Sequence, residues 1–245
     1  MSLEVADLLR ARRVLCVQPH YDDNDLGAGG TIAALADAGA EVHYLTVADD
    51  LVGVLDRALS DAEALARIAD EQQRAGAELG VRSQERLDLP DAGEWDYAAL
   101  RAAIVRSLRR LRPDWVLTVD PWLPREAHRD HTRTGLAVAE ACLLFALPRL
   151  ASGDAELDHR FEPYALTGVG FYFTGAPNVC VDVGATRARK HRALDAYTAQ
   201  FTPAGLTRLH AALEKKEREW ARGRGFEYGE ALQLVRPGQL HVGLE

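Results

Sequence analysis

The sequence predicts an α/β protein of Rossmann-like build, with a mostly parallel sheet flanked by helices. Short apolar runs alternate with amphipathic segments along the chain, and this alternation is typical of repeated βαβ units. The first unit combines a strand at residues 14–17, a helix at 32–38 and a strand at 41–47. Because a crossover helix joins these two strands, they should be parallel. The 245 residues suit a single domain at 1–245.

The alternation continues downstream, with helical periodicity in the longer segments and apolar runs in the shorter ones. We expect further helices at residues 61–79, 97–111, 132–147, 186–198 and 203–222. We expect further strands at residues 86–89, 115–119, 166–173 and 179–183, with a mixed segment at 226–235. The polar connections 48–60 and 120–130 follow predicted strands and are too long for plain turns. They are therefore candidates for active-site loops, and 151–163 is predicted to be a third loop.

Charge and cysteine content exclude several classes of function. The net charge of -8 argues against a nucleic-acid partner, which requires a basic surface. Cys16, Cys142 and Cys180 are widely spaced in apolar surroundings, which argues against a disulfide framework or a thiolate zinc site. Reduced cysteines are typical of cytoplasmic proteins, and neither a signal segment nor a membrane span is apparent. We therefore expect a cytoplasmic protein, and a homo-oligomer is compatible with these features.

A histidine and two aspartates directly follow the first predicted strand. They belong to the stretch Pro19-His20-Tyr21-Asp22-Asp23, and a glycine turn at 27–30 leads into the first helix. The carboxyl ends of parallel strands form the ligand crevice of open α/β sheets. His20 and Asp23 can both turn toward one metal ion, which leaves Asp22 free to hold a water. The alternative is a polar loop in which an aspartate caps the next helix.

A second polar cluster, His128-Arg129-Asp130-His131, follows the fourth predicted strand. Taken alone, it is also typical of a solvated loop. Taken with the first cluster, it predicts a site in which one of its histidines joins His20 and Asp23. Two histidines and one carboxylate with an open position describe a catalytic zinc site, and the same set suits iron(II). Zn²⁺ and Fe²⁺ therefore remain alternatives.

The residues of the two clusters that are not needed as metal ligands can act as a base and an acid. A metal lowers the pKa of a bound water to about 7, so the carboxylate of Asp22 can act as the general base. The remaining histidine can stabilise an oxyanion, and Asp130 can orient it. A metal- or sugar-binding protein without turnover is an alternative, but it would need neither group. A phosphoester hydrolase is disfavoured because too few carboxylates are present for two metal ions.

Both clusters resemble the signatures of the PIG-L/LmbE-like de-N-acetylases. The stretch 19–23 with Gly27-Ala28-Gly29-Gly30-Thr31 matches the first signature, and His128-Arg129-Asp130-His131 matches the second. Weaker matches include Leu87-Asp88-Leu89-Pro90-Asp91 and Phe226-Glu227-Tyr228-Gly229-Glu230-Ala231. The resemblance therefore covers most of the chain.

This resemblance implies a role for each residue of the two clusters. The implied zinc ligands are His20, Asp23 and His131. The implied general base is Asp22, and the implied oxyanion-stabilising acid is His128, oriented by Asp130. Members of the family remove acetyl groups from N-acetylglucosamine units, so the implied partner is a small-molecule amino sugar conjugate.

Substrate-binding residues are expected in the loops that follow the strands. By sequence position, Asp49, Asp50, Arg125 and Glu126 are candidates for holding sugar hydroxyls, and Trp122 is a candidate for stacking on a sugar ring. A further candidate lies in the helix at 186–198. Tyr197 stands there where the family often has a histidine, so we expect its hydroxyl to donate to the substrate.

Overall fold

A seven-stranded sheet forms the centre of the structure, a computed structural model that describes residues 2–242. Its strands are β1 (Arg13–Gln18), β2 (Glu41–Ala48), β3 (Ser83–Leu89), β4 (Trp115–Val119), β5 (Gly168–Tyr172), β6 (Val179–Asp182) and β7 (Gly229–Val235). Their order across the sheet is β3-β2-β1-β4-β5-β7-β6. The pairings among β1 to β5 are parallel, whereas β7 runs antiparallel to β5 and β6. The predicted Rossmann-like fold with a mostly parallel sheet is confirmed.

Helices cover both faces of this sheet. Between residues 2 and 242 they are α1 (Val5–Leu8), α2 (Asp23–Asp37), α3 (Asp61–Leu79), α4 (Tyr97–Leu111), α5 (Arg129–Leu144), α6 (Ala155–Arg160), α7 (Arg187–Leu194) and α8 (Pro203–Ala221). Successive side chains of a strand point to opposite faces, so Val14 and Cys16 pack with α2, α3 and α7. Leu15 and Val17 pack with α4 and α5 on the other face. No helix in this range is long and apolar enough to cross a membrane.

Helix α2 differs most from its prediction, because the expected glycine turn at 27–30 lies inside it. Glycine is required at position 27, where a Cβ atom would come within 2.2 Å of the Tyr172 ring. At Ala28 the backbone leaves helical geometry, with φ of -144°, so the second half of α2 has its own N-terminus. A helix N-terminus leaves N–H groups that need acceptors.

Glu230, on β7, supplies those acceptors. Its carboxylate accepts from the backbone N–H of Gly30 at 3.0 Å and of Thr31 at 2.7 Å. The ammonium of Lys190 lies 2.7 Å from the same carboxylate, and Lys190 and Glu230 are both buried. A buried charge needs a partner, and this pair meets that need while joining α2 to α7 and β7.

Other differences are confined to the ends of elements and to short elements. Helix α5 begins at Arg129 rather than at residue 132, so Asp130 and His131 lie on its first turn. The predicted loop at 151–163 contains the short helix α6, which Asp154 caps by accepting from the N–H of Leu157. Six residues are too few to show helical periodicity in a sequence.

Candidate metal centre

The two polar clusters meet where the strand order reverses. β1 leads to β2 on one side of it, and β4 leads to β5 on the other. Such a switch point is where open α/β sheets bind ligands. The turn between β1 and α2 carries His20, Asp22 and Asp23, and the start of α5 carries His128, Asp130 and His131.

Three side chains from the two clusters converge on one point. His20 Nδ1 lies 3.1 Å from Asp23 Oδ2, and His131 Nε2 lies 3.4 Å from Asp23 Oδ1. One ligand atom from each residue lies within 4.8 Å of the others. His20 and Asp23 are buried and His131 is half-buried. The structure therefore brings together the three residues expected to bind zinc, and their role as ligands stays a prediction.

Carboxylates also surround the outer nitrogen of His20. His20 Nε2 lies 3.4 Å from Asp91 Oδ1 and 3.5 Å from Asp130 Oδ2. Asp130 was expected to orient His128, whereas Oδ2 of Asp130 lies near His20 and accepts from the backbone N–H of Ala92 at 2.9 Å. Carboxylates in this position orient metal-binding histidines and raise their basicity. Orientation of His128 by Asp130 stays a prediction.

Asp91 was not among the expected site residues, although only Pro90 separates it from β3. The signal that could have found it is the same one that identified the other clusters, a carboxylate just beyond the end of a parallel strand. A second group with metal-ligand spacing shares His20 and consists of His20, Asp91, His128 and Asp130.

The donor set fits a divalent cation. Two imidazole nitrogens and a carboxylate are common zinc ligands. His131 has a carboxylate on its outer nitrogen, as His20 does, because its Nδ1 lies 3.4 Å from Glu126 Oε2. His20 Nε2 and Asp130 Oδ1 are buried atoms without a hydrogen-bond partner among the described residues. Both atoms belong to the second group, on the outer side of His20, so the described residues leave polar capacity unmet beside the expected metal position.

Negative charge is concentrated around this point. Burial, together with the charges of Asp23 and Asp50, raises the pKa of Asp22 well above its usual range. Burial also raises the pKa of Asp50, to about 7. Burial lowers the pKa of His131, which favours the neutral form that binds metals. A cation here would relieve repulsion among the buried carboxylates.

A cleft of about 240 Å³ opens onto the cluster. Its lining includes His20, Asp22, Asp50, Asp91 and His128. Asp22 and His128 are the N-cap residues of α2 and α5, so two helix N-termini present them to one space. The rings of His20 and His128 are 4.6 Å apart. The expected base and the expected acid therefore face the same cleft.

Asp49 and Asp50 have different roles in the loop after β2. Asp49 Oδ1 accepts from the N–H groups of Leu51 at 3.2 Å and of Asp91 at 3.0 Å. This side chain stabilises the loop through Oδ1, and the expected substrate contact of Asp49 stays a prediction. Asp50 has φ of 59°, and its Oδ2 accepts from the Tyr21 N–H at 3.2 Å. That backbone geometry places Asp50 in the cleft.

The remaining substrate candidates lie outside the cleft lining. The side chain of Trp122 is 53% exposed and packs edge-on against Phe171, with ring centroids 5.5 Å apart. Arg125 is exposed, with φ of 71°. Neither lines the cleft, and their role in substrate binding stays a prediction.

Tyr197 requires a correction. It is completely buried, and its hydroxyl lies 2.6 Å from Asp25 Oδ2 and 2.8 Å from the Tyr21 carbonyl oxygen. Tyr44 donates to the other oxygen of Asp25 at 2.8 Å. A hydroxyl enclosed by these partners cannot reach a substrate, because the turn that follows α7 places it in the core rather than at the surface of the cleft.

The fold and the site together define an α/β protein with a metal centre at the switch point of its sheet, of the kind used in metal-assisted hydrolysis. Residues 15–142 match the PIG-L family, described as GlcNAc-PI de-N-acetylase. The chain belongs to this family, and the resemblance seen in its sequence is confirmed.

Individual relatives are similar to this chain over most of its length. A diacetylchitobiose deacetylase from Thermococcus kodakarensis is 34% identical over 232 residues, covering 94% of this chain and 86% of that protein. The structure of N,N'-diacetylchitobiose deacetylase from Pyrococcus horikoshii matches with a TM-score of 0.88 and 32% identity, covering 95% of this chain and 87% of that one. A probable N-acetyl-alpha-D-glucosaminyl L-malate deacetylase from Bacillus cereus is 26% identical, covering 84% of this chain and 91% of that protein.

Proposed function

We propose that this chain is a zinc-dependent deacetylase that removes the N-acetyl group from an N-acetylglucosamine-type amino sugar conjugate. The observation that carries the proposal is the convergence of His20, Asp23 and His131 beside a cleft lined by Asp22 and His128. The similar proteins named above are deacetylases, and two are named for a diacetylated disaccharide. A binding protein without turnover would not need both a base and an acid in the lining of one cleft.

His20, Asp23 and His131 are the residues that would hold the ion. We prefer them to the second group, because the nitrogens of His20 and His131 that point away from Asp23 face other carboxylates. Nε2 of His20 faces Asp91, and Nδ1 of His131 faces Glu126. This is the usual arrangement around metal-binding histidines. When bound, zinc supplies Lewis acidity and lowers the pKa of a water to about 7.

The residues of the cleft move the protons of amide hydrolysis. Asp22 takes a proton from the attacking water. His128, when protonated, donates a hydrogen bond to the amide oxygen as that oxygen gains negative charge. The proton held by Asp22 passes to the departing amine nitrogen when the C–N bond breaks. The water oxygen bonds to the carbonyl carbon before the C–N bond breaks, so the products are a free amino sugar and acetic acid, which releases a proton to solvent as acetate, and Asp22 returns to its starting form.

Acetate release tests the proposal. Protein stripped of metal with a chelator is given Zn²⁺ or Fe²⁺ and incubated with N-acetylglucosamine and with N,N'-diacetylchitobiose. We expect wild type to release acetate from at least one substrate, with Zn²⁺ restoring more activity than Fe²⁺. We expect Asp22→Asn to release only a trace of acetate. If neither metal gives acetate from either substrate, the proposal is contradicted. If Fe²⁺ alone restores activity, the assignment of zinc as the metal is contradicted.

We also infer a cytoplasmic location. All three cysteines are free, with Cys16 and Cys142 buried and Cys180 partly exposed. Unpaired cysteines are typical of reducing compartments. Fractionation of cells that express the tagged chain tests this inference, and recovery outside the cytoplasmic fraction would contradict it.

A further inference from the structure

The lining of the cleft is polar except for one sizeable apolar side chain. Most of the lining residues carry carboxylates or imidazoles, namely His20, Asp22, Asp50, Asp91 and His128. Among the described residues of this lining, Val52 alone has a branched hydrocarbon side chain, since the other nonpolar members are Gly53 and Ala92. A molecule bound in the cleft therefore has one large apolar group to contact, that of Val52.

Val52 lies at the mouth of the cleft rather than at its base. It is 72% exposed, whereas His20 and Asp22 in the same lining are 6% and 9% exposed. An apolar side chain that is left in water gains free energy when a ligand covers it. The exposed side chain of Val52 is therefore available to the part of a ligand that stays nearest the entrance.

Hydrogen bonds fix the backbone around Val52. The residue lies in a 3₁₀ turn at Leu51–Gly53, and its N–H donates to Asp91 Oδ2 at 3.1 Å. Just beyond this turn, the N–H of Leu55 donates to the carbonyl oxygen of Ala199 at 2.9 Å. The position of Val52 is therefore set before a ligand arrives, and such preorganisation lowers the entropy that binding costs.

The bend that brings this turn to the cleft begins at Asp50. Its φ of 59° and ψ of 22° place it in the left-handed region, which is uncommon for residues other than glycine. Residues held in such sparsely populated regions are concentrated at functional sites. With this bend, Asp50, Val52 and Gly53 all line the cleft.

Asp91 connects the turn to the metal centre. Its Oδ2 accepts from the Val52 N–H, and its Oδ1 lies 3.4 Å from His20 Nε2. A single side chain therefore separates the backbone of Val52 from a proposed metal ligand. Val52 is thus within reach of the group that is attached to an amide bound at the ion.

We propose that Val52 is a specificity-determining residue that packs against the C–H groups of the amino sugar ring. The inference rests on the proposed deacetylase function. The amide must reach the buried ligands, so its acetyl methyl enters the base of the cleft, and the ring on its nitrogen stays nearer the mouth. There Val52 covers C–H groups of the ring, while the carboxylate of Asp50 can accept from a ring hydroxyl.

The substitution Val52→Thr tests this contact, because threonine keeps the branched shape and replaces one methyl group by a hydroxyl. The control is Leu55→Thr, since Leu55 is 53% exposed on the same loop and does not line the cleft. Zinc-loaded wild type and both variants are compared on N-acetylglucosamine and on N,N'-diacetylchitobiose. Values of kcat and KM are taken for the substrate that wild type hydrolyses better.

We expect Val52→Thr to raise KM by about fivefold or more. One methyl group in an enclosed pocket is worth roughly tenfold or more, and this contact is partly open. The value of kcat should stay within about twofold, because the contact is the same in the ground state and the transition state. Leu55→Thr should leave both values unchanged.

An acyl substitution decides which part of the substrate Val52 contacts. Replacing the reacting acetyl group of that substrate by propionyl lengthens the acyl chain and leaves the ring unchanged. We expect the preference for acetyl over propionyl to be the same in wild type and in Val52→Thr. A changed preference would show that Val52 contacts the acyl group, and it would overturn the assignment to the ring.

Two other results also overturn the inference, an unchanged KM in Val52→Thr and an equal rise of KM in Leu55→Thr. If wild type releases acetate from neither substrate, the deacetylase function itself fails. Calorimetry with N-acetylglucosamine and zinc-loaded protein then decides the role of Val52. Binding that Val52→Thr weakens by about fivefold or more, and that Leu55→Thr does not weaken, supports the sugar contact. No binding, or equal binding by wild type and Val52→Thr, rejects it.

Discussion

Two polar clusters lie side by side, one lining the cleft and one buried in the core, and they differ in how their polar atoms are satisfied. The metal cluster contains His20, Asp22, Asp23, His128 and His131. The tyrosine cluster contains Asp25, Tyr44 and Tyr197. Asp23 and Asp25 are only two residues apart on the first turn of α2, yet their carboxylates belong to different environments.

In the tyrosine cluster every carboxylate oxygen has a donor. Asp25 Oδ1 accepts from Tyr44, and Asp25 Oδ2 accepts from Tyr197. At the metal cluster His20 Nε2 is buried without a hydrogen bond among the described residues. A fully satisfied buried network stabilises and rigidifies a core. The metal cluster, by contrast, keeps polar capacity that the described residues leave unmet, next to the atoms expected to hold an ion.

The largest effect that we predict from this comparison is that of removing a proposed metal ligand. We expect His131→Ala to lose most bound zinc and to lower turnover by about 10³-fold or more, since a metal supplies several kcal/mol of charge stabilisation. Elemental analysis after dialysis and acetate release measure both effects. His159→Ala, at an exposed position on α6, is the control. Undiminished zinc in His131→Ala would remove this residue from the site.

The next prediction separates two adjacent aspartates. Asp22→Asn should retain zinc and lose turnover by about 10²-fold or more, the usual scale for a general base. Asp23→Asn should lose zinc as well, because it removes charge from between the two imidazoles. Zinc content and single-turnover rates distinguish the variants. Normal zinc and normal rates in both would show that the assignment of base and ligand is wrong.

A smaller effect is expected at Asp91, which the sequence did not identify. Asp91→Asn should weaken zinc affinity by about 10–100-fold, because it removes a charged partner from the outer nitrogen of His20. Competition with a chromogenic chelator measures the affinity. Asp88→Asn changes an exposed aspartate nearby and should leave it unchanged. An identical affinity in the two variants would argue against the orienting role.

The smallest catalytic effect is expected in the tyrosine cluster. Tyr197→Phe removes a donor from buried Asp25, so the free energy of unfolding should fall by about 1–3 kcal/mol. Because Tyr197 does not reach the cleft, kcat/KM should change less than twofold, within the scatter of such measurements. Urea denaturation and acetate release give the two values, and Tyr44→Phe should behave alike. A loss of kcat/KM at unchanged stability would restore the substrate contact expected from the sequence.

The parallel half of the fold could be predicted because each βαβ unit carries its own local signals. The strand at 14–17 is a continuous apolar run and the helix at 61–79 shows helical periodicity, and the observed elements nearly coincide with both predictions. The start of α2 could not be predicted. Glycines at 27, 29 and 30 weaken helix propensity, and only packing against Tyr172 and capping by Glu230 show why they are needed.

The candidate site could be predicted only where a histidine or carboxylate follows a strand and a second possible metal ligand is nearby in the sequence. His20 and His131 belong to such clusters. Asp91 has no histidine near it in the sequence, and it reaches His20 only because β3 pairs with β2 and β2 with β1. The depth of Tyr197 depends on how α7 packs against α2 and α3, which no local pattern encodes.

The bond between Glu230 and α2 also constrains the order in which the protein can assemble. Glu230 follows Gly30 by 200 residues, so a ribosome releases the metal-binding turn long before it makes the residue that fixes the helix behind it. Closing so long a loop costs chain entropy, and this cost is offset only when β7 pairs with β5 and β6. The first histidine of the site to be synthesised therefore belongs to a segment that we expect to reach its final position among the last.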